Sequence, residues 1–228
     1  MKYVNYLTIA FLSILISSCN NNKDKKINDK TVSSFSLQKG DLLFQANVVS
    51  EKVKAIQGAG EGYKGLKFSH VGILDINYKD TLVIEATTGG VRCVKLEKFF
   101  EDSEYINGKP FVYVGRLKPQ YSDIIPYSIE RAKEKIGLPY DSVFLPNNNA
   151  YYCTELVYDC YLDKENKPIF ESKPMSFKDR TDKFYDVWVK FYSKVGIPIP
   201  EGVQGTNPND ISNSKAIKIV YSYYTTIN

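Results

Sequence analysis

The chain contains a single histidine, His70. Three-His zinc sites, HExxH pairs and two-His facial triads are therefore excluded, and any imidazole chemistry falls to His70. A partner for it is found by counting along a hairpin. Phe68 to Ile76 and Thr81 to Thr87 are β-rich runs separated by Asn77-Tyr78-Lys79-Asp80, the pattern of two strands and a turn. If Ile76 faces Thr81, then Gly72 faces Glu85 and His70 faces Thr87. Opposed residues share a face and faces alternate with period 2, so His70 and Glu85 point the same way as diagonal neighbours, roughly 7 Å apart at the backbone. Gly72 is expected to leave the gap that a His70–Glu85 contact needs. A slip of one residue would put the pair on opposite faces.

A carboxylate beside a histidine fixes the imidazole tautomer and stabilises the imidazolium, the orienting half of a nucleophilic triad; the same pair is also a plausible structural hydrogen bond. The candidate nucleophile is Cys153 in Tyr152-Cys153-Thr154-Glu155-Leu156-Val157, at the start of a predicted helix. There the positive end of the helix dipole favours a thiolate, and a backbone N–H without a helical acceptor can face an oxyanion. Against this, Cys153, Leu156, Val157 and Cys160 form an i, i+3, i+4, i+7 stripe, the pattern of a core-facing cysteine. Cys160 lies two turns on, roughly 10 Å along the axis, too far for a disulfide within one helix. Cys160 and Cys93 are assigned to packing.

The elements that must position these residues follow from periodicity and breakers. Strands are expected at Asp41–Phe44, Phe68–Ile76, Thr81–Thr87, Val91–Val94, Pro110–Leu117 and Lys215–Tyr224, and helices at Val48–Ile56, Leu96–Glu101, Asp123–Ile136, Tyr152–Leu162 and Asp182–Val195. Pro198–Asn213 reads as loop. The class is α+β around an antiparallel sheet packed with helices. The 228 residues suit one sizeable domain. Hydrophobic residues at 43% exclude a disordered chain, and a net charge of +4, spread without clusters, argues against nucleic acid as a partner.

At the front, Lys2 and the apolar run Leu7–Ile16 read as a signal peptide, too short to span a bilayer. The run ends in Ile16-Ser17-Ser18-Cys19, which resembles a bacterial lipobox: cleavage before Cys19 would leave a lipid-modified cysteine, and two lipid chains anchor stably where one does not. The expected organisation is signal peptide 1–18, polar tether 19–35, rich in Asn and Lys, and catalytic domain 36–228.

Taken in order, Gly40-Asp41-Leu42-Leu43, Phe68-Ser69-His70-Val71-Gly72-Ile73, Val83-Ile84-Glu85-Ala86, Tyr140-Asp141 and Tyr152-Cys153-Thr154-Glu155-Leu156-Val157 resemble the circularly permuted papain-like cysteine amidases of the NlpC superfamily, in particular the YiiX/YaeF-like group. The resemblance covers about residues 36 to 215. In unpermuted relatives the cysteine helix precedes the histidine strand; here His70 comes first. The resemblance implies a permuted papain-like (NlpC-type) fold and a catalytic Cys153–His70–Glu85 triad that hydrolyses an amide in a peptide or aminoacyl substrate, with cell-wall peptides as a natural candidate. Tyr152 or Tyr140 would supply a second oxyanion donor or a substrate contact. Glu155 is read as supporting structure and Asp41 as a turn or cap residue. Such a mechanism needs no metal and no organic cofactor. The expected location is the bacterial cell envelope, with the protein lipid-anchored at Cys19 on the periplasmic side or at the outer membrane.

Two other classes stay open. One is a membrane-associated acyltransferase or lipid-directed hydrolase with the same triad, although Tyr152-Cys153-Thr154-Glu155 does not look like the Asn-Cys-Glu-His motif of lecithin:retinol acyltransferase relatives. The other is a non-catalytic wall-binding lipoprotein.

Overall fold

The computed structural model describes residues 35–46, 51–58, 60–178 and 185–225. The expected signal peptide, Cys19 and most of the tether lie outside them. In chain order the elements are β1 (Leu42–Gln45), α1 (Glu51–Gly58), β2 (His70–Ile76), β3 (Thr81–Thr87), β4 (Gly90–Lys95), α2 (Leu96–Glu101), β5 (Tyr105–Ile106), β6 (Lys109–Pro110), β7 (Val112–Leu117), α3 (Ile125–Glu134), α4 (Cys153–Cys160), β8 (Lys173–Pro174), α5 (Tyr185–Val195), β9 (Gln204–Gly205), α6 (Pro208–Ser212) and β10 (Ile217–Ser222). Six strands form one antiparallel sheet in the order β10-β7-β1-β2-β3-β4.

Strand alternation sends apolar side chains to both faces of this sheet, and each face is covered. On one, Leu42, Phe44, Ile73, Ile84 and Ala86 meet Ile129 and Ala132 of α3 and Leu156, Val157 and Cys160 of α4. On the other, Leu43, Leu74, Val83, Val112 and Val114 meet Phe99 of α2. Full burial of each large aliphatic or aromatic side chain contributes roughly 1.5–3 kcal/mol, so two apolar layers lock the register of the middle strands. A third cluster, Ala55, Phe144, Tyr152, Phe177, Trp188 and Tyr192, joins α1 and α5 to the loop before α4.

Helix α2 runs over the residues expected, and the second and third strands match the hairpin count. Differences fall mostly at boundaries and in coil. The expected helix from Asp123 begins as a 3-10 turn over Pro119–Ile124 and becomes α-helical only at Ile125. The expected helices at Val48 and Asp182 are described from Glu51 and Tyr185 onward, 47–50 and 179–184 lying outside the described residues. The stretch Pro198–Asn213, expected to be loop, contains β9, paired with β8, and the short helix α6. Asn207 caps α6 by accepting the N–H of Asp210, with Pro208 in its first turn, a start signal present in the sequence. Cys93, expected to pack, is exposed, because β4 is the edge of the sheet. Cys160 is fully buried. Asp41 does act in a turn, accepting the N–H of Gln38, and also holds Arg116 through both carboxylate oxygens.

Candidate active site

The pairing of Ile76 with Thr81 and of Ile73 with Ile84 is the one the four-residue turn dictates. His70 Nε2 lies 2.6 Å from Glu85 Oε2, with the carboxylate side chain only 1% exposed. Gly72 is needed here for a different reason from the one expected. A Cβ at 72 would collide with Val83 and with the Phe99 ring, so the gap is filled by α2 and not kept for the His70–Glu85 contact. The same Phe99 ring lies 5.9 Å from the imidazole, centroid to centroid, which excludes water from that side of the pair.

The Cys153 side chain also acts on the imidazole. Since Nε2 faces Glu85, Nδ1 is the nitrogen left for the sulfur. Burial alone would lower the imidazole pKa, but Cys153 and Glu85 beside it outweigh burial and raise the value to about 10. Burial likewise works against the Glu85 carboxylate, yet His70 and Arg92 together hold its pKa below the ordinary range. The imidazolium and the carboxylate are thus the stable forms at neutral pH.

Cys153 is the first residue of α4 and is 7% exposed. The stripe below it, Leu156, Val157 and Cys160, is core; Cys153 is its uppermost member, where the stripe leaves the core and meets a cavity of about 190 Å³. The walls of this cavity include Phe144, Met175, Phe177 and Trp188. Asp141 shapes one wall by accepting the N–H groups of Val143, Phe144 and Leu145. Those bonds hold Phe144 in the left-handed region, φ +55°, with its ring edge-on to Tyr152 and Trp188.

Tyr140 and Tyr152 both line the cavity beside Cys153. Burial, and then the nearby sulfur, push the Tyr140 hydroxyl far above the ordinary tyrosine range, so it stays protonated and able to donate. Burial also pushes Tyr152, to about 12, but its oxygen already accepts the Thr206 N–H at 3.1 Å. Glu155 accepts the Tyr152 N–H at 3.4 Å across the first turn of α4; burial, and then Asp141, raise its pKa to about 8.

Comparison with known proteins sets this geometry in a family. Residues 36–221 match the model of the permuted papain-like amidase enzymes, YaeF/YiiX, C92 family. The chain belongs to this family. It is a hydrolase of the papain-like amidase kind, and its mixed sheet-and-helix architecture is the permuted papain-like one. Protein YiiX of Escherichia coli (strain K12), itself uncharacterised, is 29% identical over 168 residues, 73% of this chain and 78% of its own. A crystal structure of YiiX from Escherichia coli O157:H7 superposes with a TM-score of 0.66 at 24% identity, covering 82% of this chain and 98% of that one.

That YiiX is described as a metalloprotein. In this member of the family, no three His, Cys, Asp or Glu side chains among the described residues are gathered so as to hold a metal ion, and the carboxylate at His70 is already engaged by Arg92. The site residues do not fit a metal centre.

Counting along the first hairpin reached Glu85 but missed Arg92. Its Nε donates to Glu85 Oε1 at 2.9 Å and its Nη2 forms an ion pair with the same oxygen at 2.7 Å, from the position directly opposite Glu85 on β4. The signal was available, because the Thr88-Gly89 turn sets that register as firmly as the first turn sets the other. The aromatic cavity had no such signal: Phe144, Phe177 and Trp188 lie far apart in the chain and meet only through α5 and the loop after Tyr140.

Proposed function

We propose that the protein is a cysteine hydrolase that cleaves an amide bond in a peptide or aminoacyl substrate through a Cys153–His70–Glu85 triad. The observation that carries this reading is His70 with Nε2 on the buried Glu85 carboxylate and with Cys153, at the start of α4, acting on the same ring. The Cys153 sulfur attacks the carbonyl carbon and a thioester forms. The amine leaves with the proton that His70 held, and water, deprotonated by His70, then hydrolyses the thioester to free acid and thiol. The developing oxyanion is met by the Cys153 N–H at the start of α4, with the protonated Tyr140 hydroxyl as second donor. Tyr152, its oxygen engaged at Thr206, serves as cavity wall. No step calls on a metal or an organic cofactor.

The cavity beside Cys153, at about 190 Å³, exceeds the roughly 150 Å³ that suffices for a benzene ring. Its aromatic walls therefore suit an apolar group on the substrate. This favours, as second reading, a membrane-associated acyltransferase or a lipid-directed hydrolase with the same triad. In both readings residues 1–18 are a signal peptide, 19–35 a tether lipid-anchored through Cys19, and 36–228 the catalytic domain, in the cell envelope, periplasmic or at the outer membrane. Cell-wall peptides are then within reach.

Incubation of the purified protein with peptidoglycan fragments and with N-acyl amino acids, followed by mass spectrometry, tests the reading. Release of an amine with a transient acyl adduct on Cys153 is expected; turnover that survives in Cys153→Ala would refute it. Replacing Cys19 with Ala should release the protein from the membrane fraction, and unchanged retention would remove the anchor from the scheme.

A further inference from the structure

We infer that Arg92 is a positioning residue for this site, holding Glu85 with one oxygen turned to His70 while Asp102 and Lys98 hold Arg92 in turn. The inference rests on the reading of Cys153, His70 and Glu85 as a triad.

Glu85 has two carboxylate oxygens and almost no access to water, its side chain being 1% exposed. Oε2 faces His70. Oε1 receives the Arg92 Nε–H at 2.9 Å and is ion-paired with Nη2 at 2.7 Å. A terminal carboxylate torsion is soft, so contact with His70 alone leaves the group free to turn, with Oε1 buried and without a donor, a costly arrangement for a charged oxygen. The Nε–H bond and the ion pair with Arg92 remove that freedom and satisfy the second oxygen.

Arg92 is itself fixed. Its Nη2 donates to Asp102 Oδ2 at 3.0 Å, and Lys98 Nζ donates to Asp102 Oδ1 at 2.6 Å. The result is a line from α4 through the sheet to α2: Cys153, then the alternating charges of His70, Glu85, Arg92, Asp102 and Lys98. It begins beside the cavity and ends at a half-exposed lysine. Arginine suits the middle position because its planar fork donates to Glu85 through Nε and to Asp102 through Nη2; a lysine ammonium offers a point charge without that geometry. The edge position of β4 lets the guanidinium span from a buried carboxylate to a surface one.

The test needs no known substrate. The rate of iodoacetamide alkylation of Cys153, read by peptide mass spectrometry across pH, reports the thiolate–imidazolium pair. Arg92→Met is expected to slow alkylation at pH 7 about tenfold, within the range that outer partners of an oriented histidine carry. It should also move the acid limb to higher pH, since a Glu85 that has lost its cation takes up a proton more readily. In a Glu85→Gln background, Arg92→Met should add nothing, because its effect passes through Glu85. Arg92→Lys should fall between, and it carries the test if Arg92→Met does not fold. An unchanged rate in these variants, or losses that add to those of Glu85→Gln, would overturn the inference. If Glu85→Gln itself leaves the rate unchanged, the triad reading falls and takes this inference with it.

Discussion

The two sides of the candidate site are built from opposite materials. Toward the sheet, His70, Glu85, Arg92, Asp102 and Lys98 form a line in which each charge meets one of opposite sign within 3.0 Å. Toward α5, the walls are aromatic: Phe144, Phe177 and Trp188 meet edge to face, an arrangement that adds roughly 0.5–1.5 kcal/mol per pair beyond burial. The first side fixes orientation through paired charges; the second supplies shape and dryness. Cys153 stands where they meet, at the top of a core stripe. Its packing against the core and its place beside His70 are two aspects of one position, which is why neither periodicity nor motif alone could choose between core and nucleophile.

The contrast predicts that damage to one side changes chemistry and damage to the other changes fold and binding. The largest effects should come from Cys153→Ala and His70→Ala, each lowering turnover on the order of a thousandfold or more, as expected of groups that act as a unit; Cys153→Ala should leave the thermal transition in place, whereas His70→Ala should lower it by leaving Glu85 Oε2 buried without its partner. Next, Trp188→Ala removes a side chain that is 4% exposed and should cost about 3–5 kcal/mol in denaturant unfolding. Its KM should rise, with the pH profile unmoved; a shifted profile would break the division between the two sides.

Glu85→Gln should reduce turnover less than loss of His70 does, because an amide oxygen can still orient the ring but cannot stabilise its charge. The direction of its pH effect follows from the His70 contacts. Glu85 raises the imidazole value, which stands at about 10, so the alkaline limb, where the imidazolium is lost, should move to lower pH in the variant. A limb that stays put or rises would sever Glu85 from His70 function. The smallest effect expected is from Gly72→Ala. Its added Cβ meets Val83 and Phe99, and the overpacking should lower stability by about 1–3 kcal/mol, read by urea denaturation, with the Cys153 alkylation rate altered only as far as Phe99 is displaced from the imidazole.

What the sequence determined by itself is local: turn length set the β2–β3 register and so the meeting of His70 with Glu85; the lone histidine excluded multi-histidine metal chemistry; the breakers around 137–139 and 196–198 ended α3 and α5 close to where they end. The order of the motifs carried the family, because order is itself a property of the chain. Tertiary structure decided the rest. The edge position of β4 exposed Cys93 and let Arg92 bridge inward to Glu85 and outward to Asp102. Gly72 is explained only once Phe99 of α2 is seen against it. The cavity exists because Asp141 ties three backbone N–H groups and turns Phe144 toward α5. The physical reason is range: turns, caps and pleat act over a few residues and can be counted along the chain, whereas an edge, a steric neighbour or an aromatic wall is made by segments that only packing brings together.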